Sequence, residues 1–415
     1  MGGPSGRERM LAGLVRAGHL ITFEQLPDAV VEHAAEAALT DVLVYLVDLQ
    51  EEILFLLTGH GIDANEESGE RPADMPVEGT VPGRAFQHGE IVPGSPGEPG
   101  PARWWVPLLN GTERLGVLRV TTRTADDPPF EGMRELAAVV ALLVVTKRGV
   151  SDAHARLVRR RQMNVAAEMQ WRLIPPRTCA TDQVMISAVL EPAYEISGDA
   201  FDYAFSGGTV HLSIFDAMGH DAASGLTANL AVAACRNHRR QHEGLNGIAE
   251  RIEEMVQEQF PDARFVTGIM AELDVVSGTL TWISRGHHPP VIIRRRRTLP
   301  LECPPAPPMG LGLGVTATVC HQQLEPGDRL LLYTDGITEA RSPEGREFGL
   351  DRFTDFIIRH DADGLPVPET LRRLIRHHLN YHDGQLSDDA TVLLLEWHGP
   401  APFHTGEAEA LVGLP

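Results

Sequence analysis

Phe215-Asp216-Ala217-Met218-Gly219-His220 decides how this chain is to be read. An apolar run, His211-Leu-Ser-Ile-Phe215, ends in an aspartate where the chain enters a turn of small residues. The event recurs at Leu332-Tyr-Thr-Asp335-Gly-Ile-Thr-Glu339 and at Ile196-Ser-Gly-Asp199-Ala-Phe-Asp202. It recurs in reverse at Ser387-Asp388-Asp389-Ala-Thr-Val-Leu-Leu394, where a carboxylate pair precedes an apolar strand. Taken singly, each aspartate is better read as a turn or cap residue. A carboxylate at the tip of a buried strand is costly unless something neutralises it. Four that converge would repel one another and demand cations, and oxygen ligands beside small residues suit Mg²⁺ or Mn²⁺.

Outward from these aspartates lies a domain spanning 184–398. Apolar alternating strands are predicted over 184–190, 211–216, 265–274, 279–284, 329–334 and 391–397, with helices over 222–240 and 245–259. Strands dominate and the helices come in a block, which predicts an α+β layered sandwich rather than a doubly wound sheet. The run Arg294-Arg-Arg-Arg297 follows Val291-Ile-Ile293 and reads as a solvated hairpin end before it reads as a docking patch.

The chain has 415 residues, enough for two domains. Its net charge of −21 repels phosphate backbones and argues against nucleic acid as a partner. Cys179, Cys235, Cys303 and Cys320 form no C-x-x-C pair, so reduced thiols in a cytoplasmic protein are expected, with no disulfide framework. No apolar signal core opens the sequence, and the most apolar stretch, Leu136 to Val145, is too short to span a bilayer, so no membrane association is expected.

Upstream, 20–129 predicts a small α/β domain: a helix near 29–39, a hairpin over 41–57, long loops in 60–81 and 92–101, and a second hairpin turning at Asn110-Gly111. Val81-Pro-Gly-Arg-Ala-Phe-Gln-His-Gly89, Trp105-Val-Pro-Leu108 and Leu115-Gly-Val-Leu118 resemble GAF domains. That resemblance implies a sensor with a possible small-molecule ligand, or a dimerisation module. No cysteine precedes Cys179, which excludes thiol-linked bilin here. A helical stretch over 130–174 follows, with Leu136, Val140, Leu143, Val150 and Leu157 on a heptad seam. It reads either as a coiled-coil connector, with a parallel homodimer as the consequence, or as a helix packed on its own domain. Pro175-Pro176 ends it.

The order S-G-D-x-F-D, F-D-A-M-G-H, Y-T-D-G-I-T-E and S-D-D-A-T resembles the SpoIIE-like, RsbU-type branch of the metal-dependent (PPM) serine/threonine protein phosphatases. Ala166 to Pro175, Phe265-Val-Thr-Gly268, Gly286-His-His-Pro-Pro290 and Pro308-Met-Gly-Leu311 extend the likeness over about 163–397. The resemblance implies an αββα sandwich holding two Mn²⁺ or Mg²⁺ ions. It implies Asp216 as the bridging ligand, Asp199 and Asp335 completing the shells, Asp388 on one ion, and the carbonyl of Ala217 on a metal. Asp202 matches a family aspartate without a clear role, and Asp389 is expected to point elsewhere. His287 and His288 match a family turn where shape is favoured over proton donation. Glu339 would orient a metal water or simply start a helix. Asp221 and Ser197 depart from common family glycines.

By the same resemblance the substrate is a phosphorylated STAS-type anti-sigma-factor antagonist in a stress response, under control of the sensor domain. The helices over 222–259 would act as a switch. The competing reading is a signal-responsive dimeric scaffold with a weak or inactive metal site.

Overall fold

The structure, a computed structural model, describes residues 3–59, 74–94, 101–123, 128–195, 198–219, 221–260, 264–341, 345–362, 365–381, 386 and 388–400. Ile196, Ser197, His220 and Ser387 of the quoted motifs lie outside the described residues, as do parts of the two long loops and the tail beyond Pro400. The chain divides into two compact units, built on Met1–Gln162 and on Met163–Ala408.

In the first unit, strand Thr40–Val47 alternates. Val44 and Leu46 enter one core cluster, and Tyr45 and Val47 enter another on the opposite face. It pairs antiparallel with Ile53–Leu57 and with Glu113–Thr122, and the latter returns from Ala102–Asn110 through the Asn110-Gly111 turn. With short strands Met75–Pro76 and Val92–Pro93 at the edges, six strands form one sheet. The sequence expectation began at Leu20, yet a helix Gly6–Gly18 precedes it. A Ser5/Glu8 capping box starts this helix, and Met10 and Leu14 are buried in the core.

The continuous helical connector is not what the structure shows. Three helices occupy that stretch: Phe130–Arg148, Asp152–Val158 and Val165–Leu173. Gly149 closes the first, and the Ser151 hydroxyl accepts the His154 N–H to start the next. Leu136, Val140 and Leu157 are buried in the core of the first unit, whereas Val150 is 90% exposed. The helix therefore packs on its own domain, and its apolar stripe is used there. Among the described residues no helix is long and apolar enough to cross a membrane.

The second unit is built on two antiparallel sheets. One has five strands in the order Cys320–Gln323, Thr279–Arg285, Val266–Asp274, Thr209–Ala217 and Asp199–Ser206. The other has six, in the order Arg297–Pro300, Val291–Arg294, Asp328–Tyr333, Ala390–Trp397, Val184–Glu191 and Thr178–Ala180. The two-residue period sorts side chains into three cores. Leu212, Ile214, Ile186, Leu332 and Leu393 meet between the sheets. Phe215 and Ala217 face Val232 and Ile252 of helices Ala222–Arg239 and Leu245–Gln259. Leu331 and Leu394 face Phe353 and Leu371 of helices Gly349–Ala362 and Val367–Tyr381. The layers therefore run helix, sheet, sheet, helix. The run of arginines is a hairpin end, with Arg295 and Arg296 at the turn between Val291–Arg294 and Arg297–Pro300.

One expectation is overturned. Cys303 and Cys320 form a disulfide, leaving only Cys179 and Cys235 free. Their 17-residue separation concealed it. The segment between them folds back along helix Leu245–Gln259, where Asn246 exchanges two hydrogen bonds with Ala317 and Glu253 accepts the Gly312 N–H. This brings the two Cα atoms to 6.0 Å, a spacing a disulfide spans.

Candidate metal centre

Antiparallel pairing sets Asp199 directly opposite Asp216, at one end of the five-stranded sheet. Asp335 opens the short helix Asp335–Thr338, just past strand Asp328–Tyr333 of the other sheet. Asp388 and Asp389 precede Ala390–Trp397, the neighbour of that strand. The sandwich thus brings both sheets' aspartates to one end.

The electrostatics report the convergence. Burial pushes the Asp216 carboxyl up to about 7, and Asp335, Asp388 and Asp389 add to the rise in that order. Asp199, 2% exposed, is raised by burial first and then by Asp216 and Asp389. The Thr334 hydroxyl donates to the Asp199 carboxylate at 2.6 Å, a bond between the sheets that orients it. Among the described residues, Asp199, Asp216 and Asp335 have no ion pair to lysine or arginine. Carboxylates left without a cation suit a hard divalent ion, although among the described residues Asp335 is the only one of these three in a group of three or more ligand atoms within 4.8 Å of one another.

The neighbours Asp388 and Asp389 differ. Asp388 is exposed, with its carboxylate accepting the Asp389 N–H at 2.9 Å. Asp389 is buried, and its Oδ2 accepts the N–H groups of Gly198 at 2.6 Å and Asp199 at 3.3 Å. It ties the two sheets through the backbone beside Asp199. The turns are tight: a Cβ on Gly198 would lie 2.8 Å from the Ala217 carbonyl oxygen, and one on Gly336 would lie 1.9 Å from that of Asp389.

The two histidines of the Gly-His-His-Pro-Pro turn also differ. His287 is buried, with Nε2 3.0 Å from the Tyr333 carbonyl and Nδ1 2.9 Å from the Thr267 hydroxyl. His288 stacks on Tyr333, with ring centroids 5.9 Å apart. It gathers with Asp335 and Glu339, their ligand atoms all within 4.8 Å of one another. Glu339, ambiguous in the sequence, thus faces the same group of side chains.

Several supporting residues take roles that the sequence left open. Asp202, 1% exposed, accepts from Arg236 at 2.6 Å and from Arg239 at 2.9 Å, fastening helix Ala222–Arg239 to the sheet. Asp221 N-caps that helix by accepting the Ser224 N–H at 2.8 Å and pairs with Arg264 at 2.7 Å. Those two partners hold its carboxyl below the usual range. The Gln170 amide donates to the Asp199 carbonyl, which links the Ala166–Pro175 motif to the site. Arg285, 1% exposed, pairs with Glu253 of helix Leu245–Gln259 at 2.8 Å.

Residues 206–398, all within the second unit, match the family described as Stage II sporulation protein E (SpoIIE). Protein IcfG of Synechocystis is 24% identical over 268 residues, 57% of this chain and 41% of that protein. Phosphoserine phosphatase RsbU of Bacillus subtilis is 23% identical over 247 residues, 56% of this chain and 69% of that protein. Among solved structures, the RsbU and RsbW domains of Rv1364c from Mycobacterium tuberculosis are 24% identical, with a TM-score of 0.47. The match covers 53% of this chain and 63% of that one. The chain thus spans between about two-fifths and two-thirds of the length of these relatives.

Proposed function

We propose that the second unit is a metal-dependent protein serine/threonine phosphatase. The observation that carries this reading is the gathering of acids from both sheets at one end of the sandwich, with Asp216 paired opposite Asp199 and raised by the charges of Asp335, Asp388 and Asp389. In this reading Asp199, Asp216, Asp335, Asp388 and the carbonyl of Ala217 hold two Mn²⁺ or Mg²⁺ ions. Asp216 would be the ligand shared by both; its pairing opposite Asp199 and the charge it feels from Asp335 support that role. Bound ions would supply a nucleophilic hydroxide at neutral pH and neutralise charge on the phosphoryl oxygens. Thr334 orients Asp199, and Asp389 holds the loop before it. His288 stands with Asp335 and Glu339, the ligand atoms of all three within 4.8 Å of one another.

The phosphoserine phosphatase among the relatives supports phosphoserine or phosphothreonine on a regulatory protein as substrate. A phosphorylated STAS-type anti-sigma-factor antagonist is the substrate we propose. The first unit, 20–129 at its centre, is proposed as a GAF-like sensor acting in a homodimer. The test is Mn²⁺-dependent phosphate release from p-nitrophenyl phosphate and a phosphoserine peptide by the full chain. Turnover that requires metal and disappears in Asp216→Asn is expected. No metal-dependent turnover, or turnover unchanged by that substitution, would sink the reading.

A further inference from the structure

The Gly286–Pro290 turn is where the chain crosses from one sheet to the other. It leaves strand Thr279–Arg285 of the five-stranded sheet and enters Val291–Arg294 of the six-stranded sheet. His287 sits inside this crossing and bonds to both sheets. Its Nδ1 meets Thr267, the residue paired across the ladder with Asp216. Its Nε2 meets the carbonyl of Tyr333, two residues before Asp335. We propose that His287 is a positioning residue, a strut between the sheets that sets the spacing of Asp216 and Asp335 and so the metal affinity of the site.

The donors and acceptors fix its form. A carbonyl only accepts, so Nε2 carries the proton and donates it to Tyr333. Nδ1 is then a lone pair, and the Thr267 hydroxyl donates to it. Burial, with the neighbouring His288, lowers the imidazole to about 4, which keeps this neutral form at physiological pH. Both nitrogens are engaged and the ring is 9% exposed, so His287 has no free proton for a substrate. With its one hydroxyl proton on Nδ1, Thr267 Oγ1 makes no bond to the Asp216 carbonyl oxygen 3.4 Å away, so the strut reaches Asp216 through the ladder that pairs it with Thr267. Other bonds that cross at this end, Thr334 to Asp199 and the Gly198 and Asp199 N–H groups to Asp389, act on or beside Asp199. The His287 bond to Thr267 acts instead beside Asp216.

This inference rests on the proposed metal centre, so its test reads binding as well as turnover. Mn²⁺ binding to the full chain is measured by calorimetry for the parent, His287→Gln, His287→Ala and Thr267→Val, with Tm recorded for each. Loss of a bond supporting a metal ligand typically weakens metal binding about 10–100-fold. That loss is expected for Thr267→Val and His287→Ala. A smaller loss is expected for His287→Gln, which keeps a donor toward Tyr333. Saturating Mn²⁺ should restore most of kcat. Folded Thr267→Val and His287→Gln proteins that bind Mn²⁺ within twofold of the parent would overturn the strut, whatever their Tm. A parent that binds Mn²⁺ without hydrolysing phosphate would sink the phosphatase reading instead, and the binding comparison would still decide the strut.

Discussion

Strand Asp328–Tyr333 carries an acid near each end, and the two are treated oppositely. Asp328 is 1% exposed and fully answered: Arg294 donates to it from Nε and Nη2, at 2.9 and 2.5 Å, and the Glu325 N–H at 2.8 Å. Around it Arg295 pairs with Glu325 and Arg329 with Glu396, lining a cleft of about 550 Å³. At the other end Asp335 faces Asp216 with no cation of the described chain to balance them. This cleft lies where charges already cancel. The chemistry is proposed where they do not, because only uncompensated carboxylates leave a cation something to gain.

Substitutions at the two ends should separate the roles. The largest effect is expected for Asp216→Asn, a loss of about 1,000-fold or more in metal-dependent kcat/KM, measured at saturating Mn²⁺. Asp328→Asn should leave that activity near the parent's and instead cost about 1–3 kcal/mol, read by urea unfolding. Equal loss of activity from both would break the comparison.

The pH dependence of the metal-free protein sharpens it. Asp216 at about 7 and the raised Asp199 hold protons in the fold that the unfolded chain releases near 4. Their stabilisation is complete below about pH 4 and is lost as pH rises through about 7. Metal-free stability should therefore fall between about pH 5 and pH 8, by an amount on the order of a few kcal/mol at most, and Tm should fall with it. Added Mn²⁺ should raise Tm most at the alkaline end, because protons no longer compete. A metal-free Tm that climbs over this range would contradict the uncompensated cluster. The smallest effect belongs to Arg295→Ala. Its side chain is 83% exposed, so stability should change by less than about 0.5 kcal/mol in thermal unfolding.

Much of the second unit was legible because its signals are local. Strands Thr209–Ala217 and Val266–Asp274 show as apolar runs, buried on both faces, and helix Ala222–Arg239 shows as a helical stretch. Strand Asp199–Ser206 was harder, since its aspartate opens the strand rather than closing it. The helices over 349–381 went unforeseen, although their apolar faces cover the second sheet. The connector misled for a different reason. A heptad stripe specifies a buried face but not what buries it, and here the domain's own core does.

What the sequence determined by itself was the list of acids and the strands that carry them, because an aspartate at the end of an apolar run is visible one segment at a time. What the tertiary structure decided was which acids meet and how each is used. Asp388 and Asp389 are neighbours in the chain, yet one is exposed toward Asp216 and the other is buried, holding the backbone beside Asp199. His287 and His288 are neighbours too, one closed between the sheets and the other beside Asp335 and Glu339. Cys303 and Cys320 met only because the intervening segment folds back along a helix. Charge repulsion, burial and cross-sheet hydrogen bonds depend on distance in space, which residue spacing along the chain does not encode.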